Sequence, residues 1–341
     1  MKIGDFDLDK KVFVVAELSA NHGGSFKRAI KSIKAAKRAG ADGVKLQTYT
    51  PDTITLNSKR DDFMIKNGLW KGKNLYELYK EASTPWQWHK ELFDVAREEG
   101  LVCFSSPFDE SAVDFLEEFD PPAYKIASFE ITDVNLIKYT ALRKKPVILS
   151  TGIADLGDIS LAIEMIKSTG NEDIALLKCT SSYPAPLEDA NLFNIPSLKE
   201  IFGVIVGLSD HTLGSVSPIV GVALGARIIE KHFILDREIK TPDSSFSMDE
   251  MQFKEMVKNI REAEKVLGEK SYILTKKAKE GRFFARSLYA SKDIKKGEIF
   301  TKENVKSVRP SLGLHPKNLY KILGKKAQKD IKFGEPIKYI E

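Results

Sequence analysis

Short apolar runs rich in β-branched residues alternate with longer amphipathic segments over roughly the first 270 residues of this 341-residue chain. This alternation is typical of strand–helix units packed around a parallel sheet. Eight runs are candidate strands: 12–18, 43–49, 102–107, 123–128, 146–151, 174–181, 204–210 and 227–233. Candidate helices lie between them, for example at 26–38, 86–99, 110–118, 159–168 and 216–224. The strand count and the length together predict a (β/α)8 TIM barrel of the α/β class.

A doubly wound open sheet is the alternative architecture. It fits less well, because no G-x-G-x-x-G sequence follows the first predicted strand and eight strands suit a closed barrel. A last helix is predicted to open at Ser247, with Glu250 as its capping-box partner, and to run to about Val266. Residues 50–82 form the one long loop, and loops of that length are usually functional or disordered.

The strand–helix alternation stops after about residue 270. A Lys-rich segment there is followed by short predicted strands separated by turns. The stretches DIKKGE (293–298) and DIKFGE (330–335) repeat at a distance of 37 residues, each predicted as a turn between two strands. We therefore expect a barrel over residues 1–270, a linker over 271–282 and a small β-rich domain over 283–341.

Composition excludes several classes of protein. No apolar run approaches the roughly 18 residues that span a bilayer, and the first residues lack a secretion signal. Cys103 and Cys179 lie in apolar segments, which favours buried thiols in a reducing compartment over a disulfide. A soluble cytoplasmic protein with no membrane partner is the expectation.

The net charge of +5 is unevenly distributed. Residues 282–341 carry 15 Lys and Arg against 6 Asp and Glu, whereas the other 281 residues carry 38 against 42. The basic excess therefore belongs to the small domain. It need not indicate nucleic acid, because a cationic surface also helps an enzyme capture an anionic substrate.

Polar or ionisable residues stand at the end of every predicted strand. In a TIM barrel the active site lies at the carboxyl ends of the strands, so these side chains should converge. The strand ends supply Glu17, Lys45, Gln47, Ser106, Lys125, Ser128, Glu130, Ser150, Lys178, Ser181, Tyr183, Ser209, Asp210, His211, Glu230, Lys231 and His232. Several lysines with many hydroxyls make a site for a dianion such as a phosphate ester. No P-loop sequence indicates a nucleoside triphosphate.

Five histidines bear on a possible metal site. His211 and His232 end adjacent strands and could be two ligands of a divalent ion that keeps waters or binds substrate oxygen. They could also be two hydrogen-bonded rim histidines, with His22 as a third participant or a supporting neighbour. His89 and His315 are expected to have surface or packing roles.

Carboxylates at the strand ends are the candidates for proton transfer. Glu17 and Glu130 stand where a general acid or base would act. For Glu230 and Asp210 we favour anchoring of the lysines, and Asp243 lies in the loop after the eighth strand.

Several of these stretches together resemble the sialic acid synthase family, and they occur in the family's order. They are AELSANHGG (16–24), KLQTYTPDT (45–53), FSSPFD (104–109), YKIASFE (124–130), LSTG (149–152), CTSSYP (179–184), GLSDHT (207–212) and EKHF (230–233). The C-terminal region, with SLYASKDIKKGE and VRPSLGL, looks like the antifreeze-like (SAF) domain of these enzymes.

The resemblance implies an enzyme that condenses phosphoenolpyruvate with an amino-sugar aldehyde and releases phosphate. It implies a divalent metal held by His211 and His232, typically Mn²⁺, with Mg²⁺ or Co²⁺ possible. Glu17 matches a carboxylate at the reacting centre, and either Glu17 or Glu130 would activate water. Arg309 matches an arginine that one subunit of a domain-swapped homodimer delivers to the other. The positions matching phosphoenolpyruvate contacts are Lys45, Ser106, Lys125, Ser128, Ser150, Ser181 and Ser209. Those matching sugar contacts are Gln47, Glu130, Tyr183 and Asp243.

Departures from the commonest pattern point to one branch of that family. Leu18, Ser19, Ser181 and the loop TPDSSFS (241–247) resemble the branch that makes pseudaminic acid from 2,4-diacetamido-2,4,6-trideoxy-L-altrose. Legionaminate and N-acetylneuraminate synthases are the alternatives. A lysine Schiff-base aldolase is a different enzyme class that the rim lysines would suit. An ice or carbohydrate binder is the non-enzymatic alternative, disfavoured by the domain's charge and its fusion to a polar-rimmed barrel.

Overall fold

The chain folds as two compact units, Met1–Gly268 and Glu269–Glu341. The structure is a computed structural model that describes residues 1–339. In the first unit eight parallel strands close into a barrel in chain order, which confirms the predicted TIM barrel. These strands are β3 (Phe13–Glu17), β4 (Gly43–Thr48), β5 (Val102–Pro107), β6 (Tyr124–Ile126), β7 (Val147–Ser150), β8 (Ile174–Cys179), β9 (Ile205–Asp210) and β10 (Ile228–His232).

A short hairpin precedes the barrel, formed by β1 (Lys2–Ile3) and β2 (Phe6–Asp7). Its Ile3, together with Leu8, packs into the same buried cluster as the barrel residues Phe13 and Phe104. Along β3 the inward side chains of this cluster alternate with outward ones such as Val14, which pack against the helices. The two-residue period of a strand therefore leaves Glu17 facing the barrel interior, above the apolar layer.

Helices surround the barrel and follow the strands. They are α1 (Phe26–Arg38), α2 (Pro51–Ile54), α3 (Leu75–Ala82), α4 (His89–Glu98), α5 (Glu110–Glu117), α6 (Val134–Ala141), α7 (Leu156–Ser168), α8 (Asn194–Phe202), α9 (Val216–Ala223) and α10 (Glu250–Leu267). The predicted helix over 86–99 is a 3-10 turn at Trp86–Trp88 followed by α4. Residues 50–82, predicted as a loop, contain α2, α3 and a bridge between Met64 and Asn74.

The predicted start of the last helix at Ser247 is wrong. Asp249 is the N-cap of α10, and Asp249 and Gln252 form the capping box. The Ser247 hydroxyl instead donates to the Asp243 carbonyl (2.6 Å) and accepts from the Asn21 amide (2.8 Å). Because those contacts hold Ser247 in the preceding loop, the cap falls to the next residue able to accept from the helix.

The second unit contains β11 (Ser287–Ala290) paired antiparallel with β12 (Val305–Val308), and two short helices, α11 (Lys276–Gly281) and α12 (Leu319–Ile322). The two repeated stretches pair with each other. Ile294 and Ile331 exchange both backbone hydrogen bonds at 2.8 Å, and each turn's aspartate, Asp293 or Asp330, accepts from the other turn's backbone. The repeat is therefore a pseudo-symmetric pair of turns, with both isoleucines in the small core.

Two predictions about the chain as a whole can be compared with the described residues. No helix within residues 1–339 is both long and apolar enough to span a membrane. Cys103 and Cys179 are buried free thiols, as expected.

Candidate active site

Inward-facing side chains at the carboxyl ends of the strands meet inside the barrel mouth. The register places Glu17 beside Lys45 on one flank and beside His232 on the other. Because the strands close in a ring, residues distant in sequence lie side by side here. Most of the predicted site residues are buried in this region: Glu17, Lys45, Ser106, Lys125, Ser128, Ser150, Ser209, His211, His232 and Asp243.

Lys45 lies at the centre of an ionic cluster on the floor of the site. Its Nζ is 2.9 Å from Glu17 Oε2, 3.6 Å from Glu230 Oε1 and within hydrogen-bond distance of Ser106 Oγ (3.3 Å). Burial raises the pKa of Glu17 to about 7, with Lys45 opposing the shift and Glu230 adding to it. Burial opposes the charge of Lys45, but the two glutamates outweigh it and raise the lysine's pKa. Glu230 thus anchors a lysine, as the sequence suggested.

Lys125 supplies a second buried ammonium group with spare donor capacity. Its Nζ donates to Ser150 Oγ (2.7 Å) and to the Ile126 carbonyl (3.1 Å), which uses two of its three hydrogens. Burial lowers the pKa of Lys125, although Glu230 opposes that shift. Ser209 Oγ in turn donates to Glu230 Oε1 (3.1 Å). Because Lys125 donates only two hydrogen bonds within the protein, its third hydrogen can be donated to an anionic ligand.

Gly152 also belongs to the site, because its backbone lies close to the hydroxyls of Ser181 and Ser128. Ser181 Oγ donates to Ser128 Oγ at 2.8 Å. A Cβ built on Gly152 would lie 2.2 Å from Ser181 Oγ and 2.6 Å from Ser128 Oγ, so a side chain there would displace both hydroxyls. Gly152 ends the motif LSTG, but the sequence alone does not show that a side chain there would clash with two hydroxyls.

The two strand-end histidines face each other, with ring centroids 5.3 Å apart. His211 Nδ1 lies 3.0 Å from the Thr180 carbonyl, which can only accept, so this nitrogen carries the hydrogen. His232 Nδ1 is buried without a hydrogen-bond partner and lies 3.8 Å from Asp243 Oδ2. Burial, His211 and the nearby lysines hold the pKa of His232 well below its usual range.

These observations fit a metal that takes two imidazoles and completes its shell with water or substrate oxygen. Neutral imidazole is the ligating form, and Nδ1 of His232 is buried without a hydrogen-bond partner. Within the described residues no group of three or more His, Cys, Asp or Glu side chains has a metal-binding arrangement. The histidine pair therefore does not resemble a structural zinc site, which has four protein ligands.

A chain of hydrogen bonds links Glu17 to Asp243, the carboxylate nearest His232. The Gln47 amide donates to Glu17 Oε1 (2.8 Å) and to Ser19 Oγ (3.0 Å). Ser19 Oγ donates to Asp243 Oδ2 (2.5 Å), the oxygen nearest His232. Ser19 has a φ of 39°, an uncommon conformation for a residue other than glycine. Ser19, which in the sequence is only a departure from the common motif, therefore joins two predicted site residues, Gln47 and Asp243.

Glu130 lies in a 3-10 turn after β6 and is partly buried. Burial raises its pKa to about 7 even though Lys125 opposes the shift. Its Oε2 is enclosed without a hydrogen-bond partner. A carboxyl group with a near-neutral pKa and a free oxygen has the properties of a general acid or base.

Aromatic rings border the histidines. The Tyr183 ring centroid lies 4.5 Å from that of His211 and 5.2 Å from that of Phe246, which is 4.8 Å from His232. Trp70, from the long excursion after β4, lies 5.5 Å from Tyr183. Tyr183 is a predicted site residue, whereas Trp70 and Phe246 are not, because nothing in a single sequence indicates contacts between separate loops.

The remaining histidines have structural partners. His22 Nδ1 accepts from Gly24 N (3.1 Å), and its Nε2 lies 3.2 Å from Thr84 Oγ1, so it is a supporting neighbour. His89 is buried against Thr48 (2.8 Å), in a packing role. In the second unit His315 accepts from Lys317 N.

Two further candidate residues are Asp210 and Arg309. Asp210 forms a buried ion pair with Lys231, on the outer side of the strands, and so anchors a lysine. Arg309 directly follows β12 in the second unit.

Two family models match the chain. The NeuB family model matches residues 32–272, and the SAF domain model matches residues 285–339. The chain is 58% identical over 338 residues to a pseudaminic acid synthase of Campylobacter jejuni serotype O:2, covering 99% of this chain and 98% of the relative. Identity to the Helicobacter pylori pseudaminic acid synthase is 53% over 95% of this chain and 96% of that protein.

More distant relatives carry other names. An N,N'-diacetyllegionaminic acid synthase of Campylobacter jejuni is 36% identical, covering 96% of this chain and 99% of the relative. Among solved structures, an N-acetylneuraminic acid synthetase of Leptospira borgpetersenii superposes with a TM-score of 0.74 at 29% identity, covering 82% of this chain and 94% of that one.

Proposed function

The chain belongs to the NeuB family, the sialic acid synthases, and on that premise we propose that it is a pseudaminic acid synthase. It would condense phosphoenolpyruvate with 2,4-diacetamido-2,4,6-trideoxy-L-altrose and release phosphate. The observation that carries the proposal is the difference in identity: 58% to a pseudaminic acid synthase over nearly the whole chain, against 36% to a legionaminic acid synthase.

The ionic floor of the site supports phosphoenolpyruvate as the first substrate. Lys45 and Lys125 are buried ammonium groups, and Ser106, Ser128 and Ser150 add directional hydroxyl donors. A phosphate ester is bound well by such a mixture of point charges and fixed donors.

In the reaction, carbon 3 of the enol attacks the aldehyde carbon of the sugar, and positive charge develops at carbon 2. Water adds to carbon 2, and the resulting tetrahedral phosphate hemiketal collapses with cleavage of the C–O bond. We assign Glu130 as the base that takes the proton from water, because its Oε2 is free and its pKa is near neutral. Glu17, held by Lys45 and Gln47, would stabilise the developing cation.

His211 and His232 would hold a divalent ion, with Mn²⁺ proposed and Mg²⁺ or Co²⁺ as alternatives. When bound, such an ion supplies Lewis-acid polarisation of the aldehyde oxygen. Gln47, Tyr183 and Asp243 are proposed to bind the sugar, and Ser181 and Ser209 the phosphoenolpyruvate.

We also propose a domain-swapped homodimer in which Arg309 of one subunit completes the barrel site of its partner. Large apolar side chains in the loops after β6, β7, β8 and β9 support this proposal, because they are exposed in the single chain. They include Phe129, Ile153, Leu187, Phe193 and Leu213, with Phe193 81% exposed. Exposed apolar surface of this kind is typical of an interaction face. The two free thiols are consistent with work in the reducing cytoplasm.

Phosphate release from phosphoenolpyruvate tests the proposal, with each of three sugars and Mn²⁺ added. The sugars are the diacetamido-L-altrose, the corresponding legionaminate precursor and N-acetylmannosamine. The altrose should give the highest kcat/KM. A higher kcat/KM with another sugar would assign the chain to the synthases that use that sugar. Absence of phosphate release with all three sugars would overturn the synthase proposal.

His232→Ala and His315→Ala are a matched pair for the metal site. The first should be folded and inactive, because it removes a proposed ligand. The second removes a histidine that only caps a turn in the small unit, and should retain wild-type activity.

A further inference from the structure

Three aromatic side chains from three separate loops pack in a row beside the histidine pair. We call Trp70, Tyr183 and Phe246 the aromatic wall. Adjacent ring centroids in it lie 5.5 Å apart (Trp70 to Tyr183) and 5.2 Å apart (Tyr183 to Phe246). Trp70 is the outermost member relative to His211, since the contact between them runs through Tyr183.

Trp70 is fixed to the loop after β10 as well as to Tyr183. Its Nε1 donates to the Pro242 carbonyl at 3.1 Å, and Pro242 directly precedes Asp243. Trp70 stands near the tip of a hairpin-like excursion in which Ile65 exchanges backbone hydrogen bonds with Gly72 and Lys73. The indole is half-buried, so part of its ring remains available to a ligand.

The indole has no unused polar group to offer. Nε1–H is its single donor, and that hydrogen is committed to Pro242. What remains is an apolar ring face, which accepts a methyl group but cannot replace the water hydrogen bonds that a hydroxyl loses on burial. Such a surface discriminates against a hydroxyl and for a deoxy carbon.

The distances match the length of a six-carbon sugar. The Trp70–Tyr183 and Tyr183–His211 separations place the Trp70 and His211 rings at most 10.0 Å apart. An extended chain of six carbons with bonds of about 1.5 Å spans roughly 6 Å. A van der Waals contact between carbon 6 and the indole adds about 4 Å to this length. A sugar with carbon 1 at the histidines is therefore long enough for its carbon 6 to contact Trp70.

We propose that Trp70 determines specificity for the acceptor sugar by contacting its deoxygenated carbon 6. The inference rests on the proposed function, because it takes the aldehyde to lie at His211 and His232. Trp70 acts on recognition of the sugar and takes no part in bond making.

Steady-state kinetics of Trp70→Phe and Trp70→Ala with two sugars tests this role. The sugars are the 2,4,6-trideoxy substrate and its 6-hydroxylated counterpart. Wild type should prefer the 6-deoxy sugar by tenfold or more in kcat/KM. Trp70→Ala should raise KM for that sugar about tenfold and reduce the preference below threefold, with KM for phosphoenolpyruvate within twofold of wild type. Trp70→Phe, which keeps an apolar ring, should retain most of the preference.

Trp86→Phe is the matched control. Trp86 is also half-buried and donates its Nε1 to a backbone carbonyl, that of Tyr49, but it stacks on Phe115 instead of on the wall. It should leave the sugar preference unchanged.

Intrinsic fluorescence gives a readout independent of turnover, since the chain has only three tryptophans. Titration with the 6-deoxy sugar should change the emission of wild type and of Trp86→Phe but not that of Trp70→Phe. A folded Trp70→Ala with an unchanged sugar preference would overturn the inference, as would an equal loss for both sugars and for phosphoenolpyruvate. If wild type consumed neither diacetamido sugar, the proposed function itself would fail instead.

Discussion

The buried ion pair between Asp210 and Lys231 gives a stability prediction that depends on its setting. The pair joins the ends of β9 and β10, and both side chains are nearly inaccessible. Lys231 also donates to the Thr212 carbonyl, and Asp210 accepts from Thr212 N at 3.1 Å. Lys231→Met keeps the volume but leaves the Asp210 carboxylate without its counter-ion. Removing one partner of a buried pair typically costs about 3–5 kcal/mol.

Chemical denaturation monitored by circular dichroism measures this loss of unfolding free energy. The double variant Asp210→Asn, Lys231→Met should recover most of it, because the uncompensated charge is gone while the Asn oxygen still accepts from Thr212. Lys90→Met is the control, since it breaks an exposed pair with Asp94 and should leave stability nearly unchanged. A loss below about 1 kcal/mol for Lys231→Met, or no recovery in the double variant, would refute the reasoning.

Three further predictions concern the site and its pH dependence. Gly152→Ala should raise KM for phosphoenolpyruvate by roughly tenfold, because the new Cβ would displace the Ser181 hydroxyl; an unchanged KM in steady-state kinetics would contradict this. The kcat–pH profile should fall below pH 7 as the base Glu130 and the carboxylate Glu17, each of pKa about 7, are protonated. Glu130→Gln should make that fall less steep and lower kcat about 100-fold or more; an unchanged kcat would contradict the assignment. Burial lowers the pKa of both His22 and His89 to about 4, so the unfolded chain binds more protons between pH 6.5 and 4. Unfolding free energy should therefore decline through that range by up to roughly 3 kcal/mol per histidine, and His89→Gln should flatten the decline.

The barrel could be predicted from sequence because the spacing of apolar residues within each segment indicates whether it is a strand or a helix and which side is buried. The period of two along β3 places Phe13 and Glu17 on the same inward face, so an apolar floor and a polar mouth follow from one strand. The convergence of Lys45, His211 and His232 follows from the barrel alone, since Lys45 lies beside Glu17 in the register and the histidines stand at the ends of β9 and β10.

Contacts between loops could not be predicted in this way. Trp70 and Pro242 are 172 residues apart, and no local pattern pairs a tryptophan with a distant carbonyl. The start of α10 was misplaced because Ser247 and Asp249 are both good N-cap residues, and only the tertiary contacts of Ser247 decide between them. Pairing of the two DIK turns likewise depends on a long-range exchange between Ile294 and Ile331.

A second enzyme class can be separated from the synthase by a trapping experiment. A Schiff-base aldolase would lose activity on borohydride treatment with substrate, through a covalent lysine adduct. Lys125, whose pKa is lowered by burial, is the lysine best suited to that chemistry. The condensation proposed here forms no such adduct, so intact-protein mass should be unchanged after treatment.

The most direct test of the condensation is the fate of the bridging oxygen of phosphoenolpyruvate. The enzyme is incubated with Mn²⁺, the diacetamido-L-altrose and phosphoenolpyruvate labelled with ¹⁸O at the C–O–P bridge, and both products are analysed by mass spectrometry. We predict that all of the label leaves in the phosphate and that a nine-carbon 2-keto acid forms in equal amount. Label retained in the acid, or phosphate formed without that acid, would contradict attack by water at carbon 2 and the assignment of the site.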